Sequence, residues 1–294
     1  MLATQALAAA VQSYAPESML FAVNTTGVKA ITIALAAGIA FGFLRAPFAR
    51  ERPDPRRDTD VQRHSVAAMA LHWVNALAFL LAIFTAVVLL KWLPNPLTLE
   101  TTYVLHYVAA GLILFAIGAV ATNALVYGTT SKHRLIPSAE DLREFGWELL
   151  SYLGLRGEHG FLGFGRRQAA KGEEHPVSWG EKYLGTERVM SYPLWVVIVG
   201  LLVVTGLIKG LRYTWSVPHA WLNVVTVIHD GSAIAAMVML VLHAGAVLVV
   251  KTNWPLLKSM VTTREPIATA AELHPGWVET VSVEESEQKK AAGA

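Results

Sequence analysis

Five long apolar runs dominate the chain, and they lie at roughly 28–44, 66–90, 103–127, 192–211 and 224–250. A helix needs about 20 apolar residues to cross the hydrocarbon core of a bilayer. Four of the runs reach that length and the first comes close, so the pattern predicts five transmembrane helices. A cleaved signal peptide is the competing interpretation of the first run. The extreme N-terminus lacks the basic region of such a signal, which favours an additional N-terminal span.

Composition supports a membrane protein and excludes several classes of site. Of the 294 residues, 54% are hydrophobic and only 16% are charged, whereas about 25% of residues are charged in soluble domains. The chain has no cysteine. It therefore holds no disulfide, no cysteine-ligated iron–sulfur cluster and no covalently attached c-type haem, since each requires thiols. The net charge of +2 is too small to indicate a nucleic-acid partner.

The positive charges predict the orientation of the spans. They are concentrated between spans one and two, between spans three and four, and after span five, while the two remaining loops carry few. The basic residues of the three rich segments include Arg45, Arg50, Arg52, Arg56, Arg57 and Arg63, then Lys132, Arg134, Arg143, Arg166, Arg167, Lys182 and Arg188, then Lys251, Lys258 and Arg264. The positive-inside rule then places these segments and the C-terminus in the cytoplasm and the N-terminus outside.

The long cytoplasmic loop, residues 129–190, contains one further predicted helix. In "SAEDLREFGWELLSYLG", Ser138 and Asp141 stand where a helix start favours them, and apolar residues follow at helical spacing. This amphipathic helix either covers the bundle or binds a partner. The basic, glycine-rich "RGEHGFLGFGRRQ" is not followed by a strand–helix unit and receives no phosphate-binding role. The final residues, "VEESEQKKAAGA", predict a disordered tail.

Four of the ten histidines fall well inside the spans, where ionisable residues are costly and usually functional. His72 and His243 lie about seven and eight residues from the cytoplasmic ends of spans two and five. His106 and His229 lie about four and five residues from the outer ends of spans three and five. The remaining histidines, His64, His133, His159, His175, His219 and His274, are expected to be solvated surface residues.

The spacing within span five explains how these four histidines can act in pairs. His229 and His243 are separated by about four helical turns, or about 21 Å, so they share one face of the helix. Each then meets one partner at its own depth, His106 for the first and His72 for the second. A b-type haem takes a neutral imidazole on each side of its iron inside a helical bundle. Two such haems, one near each surface, would form an electron path across the membrane.

Other interpretations of the same residues remain open. Nearby small residues, such as Ala109, Ala110, Gly111, Ala233, Ala244 and Gly245, leave room for the macrocycles or serve ordinary helix packing. A proton or ion transporter would be expected to carry buried carboxylates, and Asp230 is the main one in the spans. A bare metal site is disfavoured because the two histidine levels are too far apart to share an ion.

The motifs "RHSVAAMALHW", "LHYVAAG", "KSMVTTRE" and "LHPGWVE", together with the two histidines of span five, resemble the cytochrome b (gamma) subunit of membrane-bound formate dehydrogenases, within the di-haem cytochrome b561-like superfamily. The resemblance covers roughly residues 60–280. It implies an all-α integral membrane fold, a four-helix transmembrane di-haem cytochrome b bundle with, here, an additional N-terminal transmembrane helix. The expected domains are an N-terminal segment (1–62), the di-haem core (63–262) and a cytoplasmic C-terminal tail (263–294).

The resemblance also implies cofactors, partners and location. His106 and His229 would hold the iron of an outer haem b, and His72 and His243 that of an inner haem b. An iron–sulfur subunit and a molybdenum or tungsten catalytic subunit would deliver electrons, and quinone would accept them near the inner haem. The protein would be a multi-pass component of a bacterial cytoplasmic membrane. A nickel–iron hydrogenase or another molybdoenzyme as partner, a stand-alone cytochrome b561-like quinone oxidoreductase, and a cofactor-free transporter or anchor are the alternatives.

The candidate quinone segment departs from the family pattern. The family has a lysine, tyrosine and asparagine, followed closely by a glycine and a glutamine, before the third core helix. In "EKYLGTER", Lys182 and Tyr183 fit, but Leu184 and Glu187 stand at the asparagine and glutamine positions. Glu187 is either a proton-exchanging group for quinone chemistry or a surface glutamate at a helix start.

Overall fold

The computed structural model describes residues 17–45, 60–127, 137–152, 182–183, 185–274 and 277–278. Its long helices are α1 (Glu17–Arg45), α2 (Val66–Leu89), α3 (Leu99–Tyr127), α4 (Ala139–Tyr152), α5 (Tyr192–Leu211) and α6 (His219–Leu248). The shorter elements are a π-helical turn (Glu187–Ser191), a 3-10 turn (Lys251–Asn253), α7 (Trp254–Thr262) and α8 (Ile267–Leu273). Strands β1 (Asp60–Gln62) and β2 (Arg264–Pro266) complete them.

Five of these helices are long and apolar enough to cross a membrane, namely Met19–Arg45, Val66–Leu89, Leu99–Val126, Glu187–Leu211 and His219–Leu248. Each contains or closely overlaps one predicted run, which confirms the all-α integral membrane fold class. Large apolar side chains along them, including Leu77, Val196 and Val227, are exposed. That exposure suits a lipid environment, in which the backbone groups are satisfied within each helix and the apolar side chains face outward.

The first span is longer than its apolar run predicted, because it begins at Glu17 and includes the polar residue Asn24. Asn24 is buried: its amide nitrogen donates to Leu20 O at 2.6 Å, and its oxygen accepts a hydrogen bond from the Tyr107 hydroxyl at 2.7 Å. These bonds satisfy a polar side chain that the helix would otherwise bury at a cost. Helix α1 is therefore extended and tied to α3 by a contact that hydropathy does not reveal.

Glycines let α1 and α3 approach closely. A methyl group built on Gly118 would lie 2.9 Å from Leu35 O, and one built on Gly42 would lie 2.8 Å from Ala119 O. Small residues are the usual means by which helix backbones come together in membranes, where packing rather than water exclusion drives association. Gly111 belongs to the same contact but is looser, since its nearest neighbour would be Ala34 Cβ at 3.6 Å.

The described residues form two compact units. The first comprises the described residues of Met1–Leu44, Leu71–Asn123 and Ile198–Met237. The second comprises the described residues of Arg45–Ala70, Ala124–Val197 and Val238–Ala294. The predicted boundaries at 62 and 262 stay a prediction.

In the second unit, β1 pairs antiparallel with β2, so that Val61 lies opposite Glu265. Val61, Ala270 and Trp277 form a small hydrophobic core beside this strand pair. His274, which was expected to be a solvated residue, is instead buried, and its ring meets that of Trp277 edge to face at 6.3 Å. That expectation was wrong because the strand pair and α8 enclose the segment, and such long-range pairing leaves no local signature in the sequence.

The helix predicted within the 129–190 loop is present as α4, but the face that it buries was not predicted. Its start is a capping box: Asp141 N donates to Ser138 Oγ at 3.2 Å, and Ser138 N donates to Asp141 Oδ2 at 2.6 Å. Leu142 and Leu149 are exposed, whereas the carboxylates Asp141, Glu144 and Glu148 are buried. The acidic face of helix α4 is therefore turned toward the rest of the second unit, to which the helix belongs. The glycine-rich 155–167 segment and the C-terminal tail lie outside the described residues.

The α1–α3 contact leads to a stability prediction. Gly118→Ala should lower the stability by about 1–3 kcal/mol, because its methyl group would meet backbone atoms of α1 that cannot move aside cheaply. Gly111→Ala, on the same helix, is the matched control and should be close to neutral, since its methyl group would make ordinary contacts. Thermal unfolding of the purified variants in detergent checks this, and equal unfolding temperatures for the two would contradict the packing described.

Candidate functional site

The first unit brings two of the predicted histidines together. His106 on α3 and His229 on α6 face each other with their ring centres 6.4 Å apart and their planes at 69°. Two imidazoles on opposite sides of one metal ion, each at a nitrogen–metal distance of about 2 Å, have ring centres roughly 6 Å apart. The spacing of this pair is therefore that of two ligands to a single iron.

Each of these rings is held through its Nδ1 atom by a buried threonine. Thr85 Oγ1 lies 2.8 Å from Nδ1 of His106, and Thr205 Oγ1 lies 2.9 Å from Nδ1 of His229. Both contacts involve the ring nitrogen that is nearer the backbone. The Nε2 atom of each ring is thus the one available to a ligand between the two helices.

A cavity of about 350 Å³ adjoins both histidines. Its walls come from α1, α2, α3, α5 and α6 and are mainly apolar, with Ala110 and Ala233 among the small residues that line it. Its polar lining, apart from the histidines, includes Asn24, Tyr103, Tyr107, Lys209, Arg212 and Asp230. Lys209 and Asp230 form a partly exposed ion pair at 3.5 Å.

This lining fits a haem. A haem b is apolar over most of its edge, carries two anionic propionates, and takes neutral imidazole on each face of its iron. The cavity supplies a paired imidazole set, apolar walls, and two cations, Lys209 and Arg212, for the carboxylates. Among the described residues, no group of three or more histidines or acidic residues could hold a bare metal ion. Two imidazoles alone are a poor site for a bare metal ion, whereas they are the ligand set that a b-type haem takes.

Residues 63–263 match the protein family described as prokaryotic cytochrome b561. The match covers more than half of the chain. The chain belongs to this family. Members of the prokaryotic cytochrome b561 family are membrane electron-transfer proteins that bind haem b. No curated protein matches the chain significantly.

The first helix of this cytochrome b561, α1, lies before the residues that match the family. Even so, Asn24 and Ile31 of α1 line the cavity beside His106 and His229. The additional helix therefore contributes to the wall of the site as well as to packing. Its polar contact with Tyr107 was missed in the sequence because a single asparagine near the end of an apolar run carries no distinctive signal.

The other two predicted ligands of this cytochrome b561, His72 and His243, lie in different units. His72 is on α2, where its ring meets that of Trp73 edge to face at 5.7 Å, and His243 is on α6. Both side chains are exposed. Their pairing as ligands to a second haem stays a prediction that rests on the sequence spacing.

The candidate quinone segment of the cytochrome b561 chain lies in the second unit, where Lys182 is fully buried. Its ammonium lies 5.7 Å from the ring centre of Trp277 and 5.8 Å from that of Tyr183, within cation–π range. Its carbonyl accepts a hydrogen bond from Arg63 at 2.7 Å. Tyr183 in turn meets Tyr192 edge to face at 5.2 Å. Lys182 thus anchors this segment.

Helix α4 fastens the other side of the segment. The carboxylate of Glu148 accepts hydrogen bonds from the backbone nitrogens of Gly185 and Thr186, at 3.2 and 2.9 Å. Buried Arg188 pairs with Asp141 at 2.6 Å and also with Glu144. Because these contacts link residues about 40 positions apart, they were not visible in the sequence. Leu184, one of the two departures from the family pattern, lies outside the described residues.

Glu187, the other departure, opens the π-helical turn that leads into α5 and is partly exposed. Single π-helical turns occur frequently at functional sites.

The buried pair of Arg63 and Glu265, joined at 2.8 Å, also belongs to the second unit. Burial raises the pKa of the Glu265 carboxyl, and the charge of Glu187 also raises it. The Arg63 guanidinium lowers this pKa and so opposes the rise.

The buried ion pair leads to a pH-dependent prediction. Arg63→Met should destabilise the protein by about 3–5 kcal/mol, because it leaves the Glu265 carboxylate buried without its cation. The pKa of Glu265 would then rise further above its unfolded value, so folding takes up a proton and stability falls as the pH rises through that window. The cost of the substitution should therefore shrink as the pH is lowered, which thermal unfolding across a pH series measures.

Arg264→Met is the matched control for this experiment. Arg264 faces Asp60 at 3.9 Å in a partly exposed pair, so its loss should cost less than about 1 kcal/mol. Combining Arg63→Met with Glu265→Leu should recover much of the stability, since no unpaired charge remains. A cost for Arg63→Met that does not change with pH would contradict this assignment.

Proposed function

We propose that this chain is the membrane cytochrome b subunit of a multi-subunit dehydrogenase of the formate dehydrogenase kind, and that it passes electrons through two b haems across the membrane to quinone. The observation that carries the proposal is the facing pair of His106 and His229, whose ring centres are 6.4 Å apart and whose Nδ1 atoms are each engaged by a threonine. Bound haem supplies a one-electron iron couple at that position.

The residues of the chain perform distinct tasks in this proposal. His106 and His229 would hold the first haem, and mainly apolar walls from five helices would surround it. His72 and His243 hold the second, as their depths in the spans indicate. The short 91–102 and 209–223 loops lie on the outer side by the charge asymmetry, and the C-terminus lies in the cytoplasm.

Quinone chemistry requires protons as well as electrons, and the second unit offers groups for that purpose. Glu187 is a partly exposed carboxyl on a π-helical turn, and Tyr183, four residues earlier, packs edge to face on Tyr192. The burial of Lys182 makes it a residue that holds the segment in place rather than a direct contact of quinone. Glu187 is thus the strongest candidate for proton exchange.

The proposal assigns substrate oxidation to partner subunits. The chain has no cysteine and cannot ligate a cysteine-bound iron–sulfur cluster of its own, so in this proposal an iron–sulfur subunit passes on the electrons that a molybdenum or tungsten catalytic subunit takes from the substrate. A nickel–iron hydrogenase would meet the same need. Affinity purification from the native membrane, with metal analysis of the co-purifying subunits, distinguishes molybdenum or tungsten from nickel.

The haem content tests the ligand assignment. The purified chain should contain two b haems by pyridine haemochrome, and His229→Ala and His243→Ala should each retain one, because each removes one ligand of a different pair. His219→Ala is the matched control on the same helix; its side chain is exposed at the start of α6, and both haems should remain. Two haems in His243→Ala would refute the second pair, and no haem in well-folded wild-type protein would refute the proposal.

Quinone turnover tests Glu187. Glu187→Gln should slow quinone reduction by about 10²-fold, the usual contribution of a positioned acid or base, while both haems stay in place. Glu140→Gln on the exposed side of α4 is the control and should turn over normally. Steady-state kinetics with a soluble quinone provides the measurement, and unchanged kinetics for Glu187→Gln would return this residue to a surface role.

A further inference from the structure

Two threonines on different helices make the same contact with the two facing histidines. Thr85 on α2 is fully buried and touches Nδ1 of His106 on α3. Thr205 on α5 is 4% exposed and touches Nδ1 of His229 on α6. The site thus contains two separate threonine–imidazole pairs, built from four helices and arranged around one space.

The hydroxyl group of each threonine also contacts a backbone carbonyl oxygen of its own helix, which can accept the hydroxyl proton. Thr85 Oγ1 also lies 3.0 Å from Leu81 O and 2.9 Å from Ala82 O, one turn earlier on its own helix. Thr205 Oγ1 donates in the same way to the carbonyl oxygen of Leu201. A hydroxyl has one proton and two lone pairs. When that proton goes to the carbonyl, the oxygen can only accept a hydrogen bond from the ring.

A neutral imidazole has a single N–H group, so a proton held at Nδ1 leaves the lone pair at Nε2. The opposite arrangement, with the hydroxyl donating to Nδ1, would place the ring proton at Nε2 and block ligation. We propose that Thr85 and Thr205 are positioning residues, which keep the proton of His106 and His229 at Nδ1 and thereby commit each Nε2 to the haem iron. This inference rests on the proposed function.

The same contacts restrict ring rotation. A ring whose Nδ1 atom is bonded to a hydroxyl cannot turn freely about its own Cβ–Cγ bond without losing that hydrogen bond. Beside Thr205, Gly206 leaves space for the imidazole, since a methyl group built there would lie 3.3 Å from Cε1 of His229. The residues at 205 and 206 therefore set both the direction and the position of this ring.

A hydrogen bond from Nδ1 makes an imidazole a stronger electron donor and favours the ferric state of its iron. Thr85→Val and Thr205→Val keep the shape of the side chain and remove the acceptor. Each variant should raise the midpoint potential of the haem that His106 and His229 hold, and leave the potential of the second haem unchanged. If the ligands prefer ferric over ferrous iron tenfold less strongly, the midpoint potential of a one-electron couple rises by about 59 mV. We expect the shift to be no larger than this.

A second measurement reports the ring orientation directly. The low-spin ferric EPR signal of a haem with two imidazole ligands depends on the angle between the ring planes. Freeing one ring should shift or broaden this signal in Thr85→Val and Thr205→Val. Thr85→Ser and Thr205→Ser retain the hydroxyl and should restore both the potential and the EPR signal, which a purely structural role of the methyl group would not do.

Thr102→Val is the matched control. Thr102 is fully buried on α3, as is Thr85 on α2, but its hydroxyl bonds to Thr98 O and Asn95 Oδ1 rather than to a ring. Its replacement should leave the potential and the EPR signal unchanged. Should a valine variant fail to accumulate, the alanine and serine variants at the same position decide the question by the same two readouts.

The outcomes separate this inference from the proposed function. A wild-type chain without haem would refute the function itself. Haem bound normally in the wild type, with unaltered potential and EPR signal in both valine variants, would overturn only the positioning role. A shift that serine reverses would establish it.

Discussion

The arrangement of the first unit depends on one constraint, namely that an imidazole inside an apolar bundle must have both of its nitrogens engaged. The threonines on α2 and α5 engage one nitrogen of each ring, and the shared space between the rings offers a ligand to the other. Because an unsatisfied polar group in hydrocarbon costs several kcal/mol, the helices that carry these four residues have little freedom to rotate. The pairing of polar atoms thus helps to order a bundle whose side chains are mainly apolar.

A related requirement shapes the second unit, where buried charges are paired across long sequence distances. Arg63 joins Glu265, and Arg188 joins two carboxylates of α4. Arg63 also bonds to the carbonyl of Lys182, and Arg188 itself belongs to the π-helical turn that leads into a transmembrane helix. The acidic face of α4 is consequently occupied, and Leu142 and Leu149 are exposed. Ionic contacts therefore contribute to holding this helix in place.

The N-terminal helix lies before the residues that match the family, and it packs within the first unit. Helix α1 packs on α3 through glycines at which backbone atoms approach closely, and it closes part of the cavity wall. In lipid, close packing and a few hydrogen bonds replace the hydrophobic effect as the source of affinity between helices. The bond between Asn24 and Tyr107 provides the polar part of that affinity.

The number and type of the spans could be read from the sequence, as could the presence of histidines within them, because span length and the cost of polar groups in lipid are local properties. The capping box at Ser138 was equally local. The threonine partners of His106 and His229, the burial of His274 and the inward acidic face of α4 appeared only in the tertiary structure. Each depends on which residues meet across helices, strands and loops that are distant in the chain, and no spacing rule within one element records such a meeting.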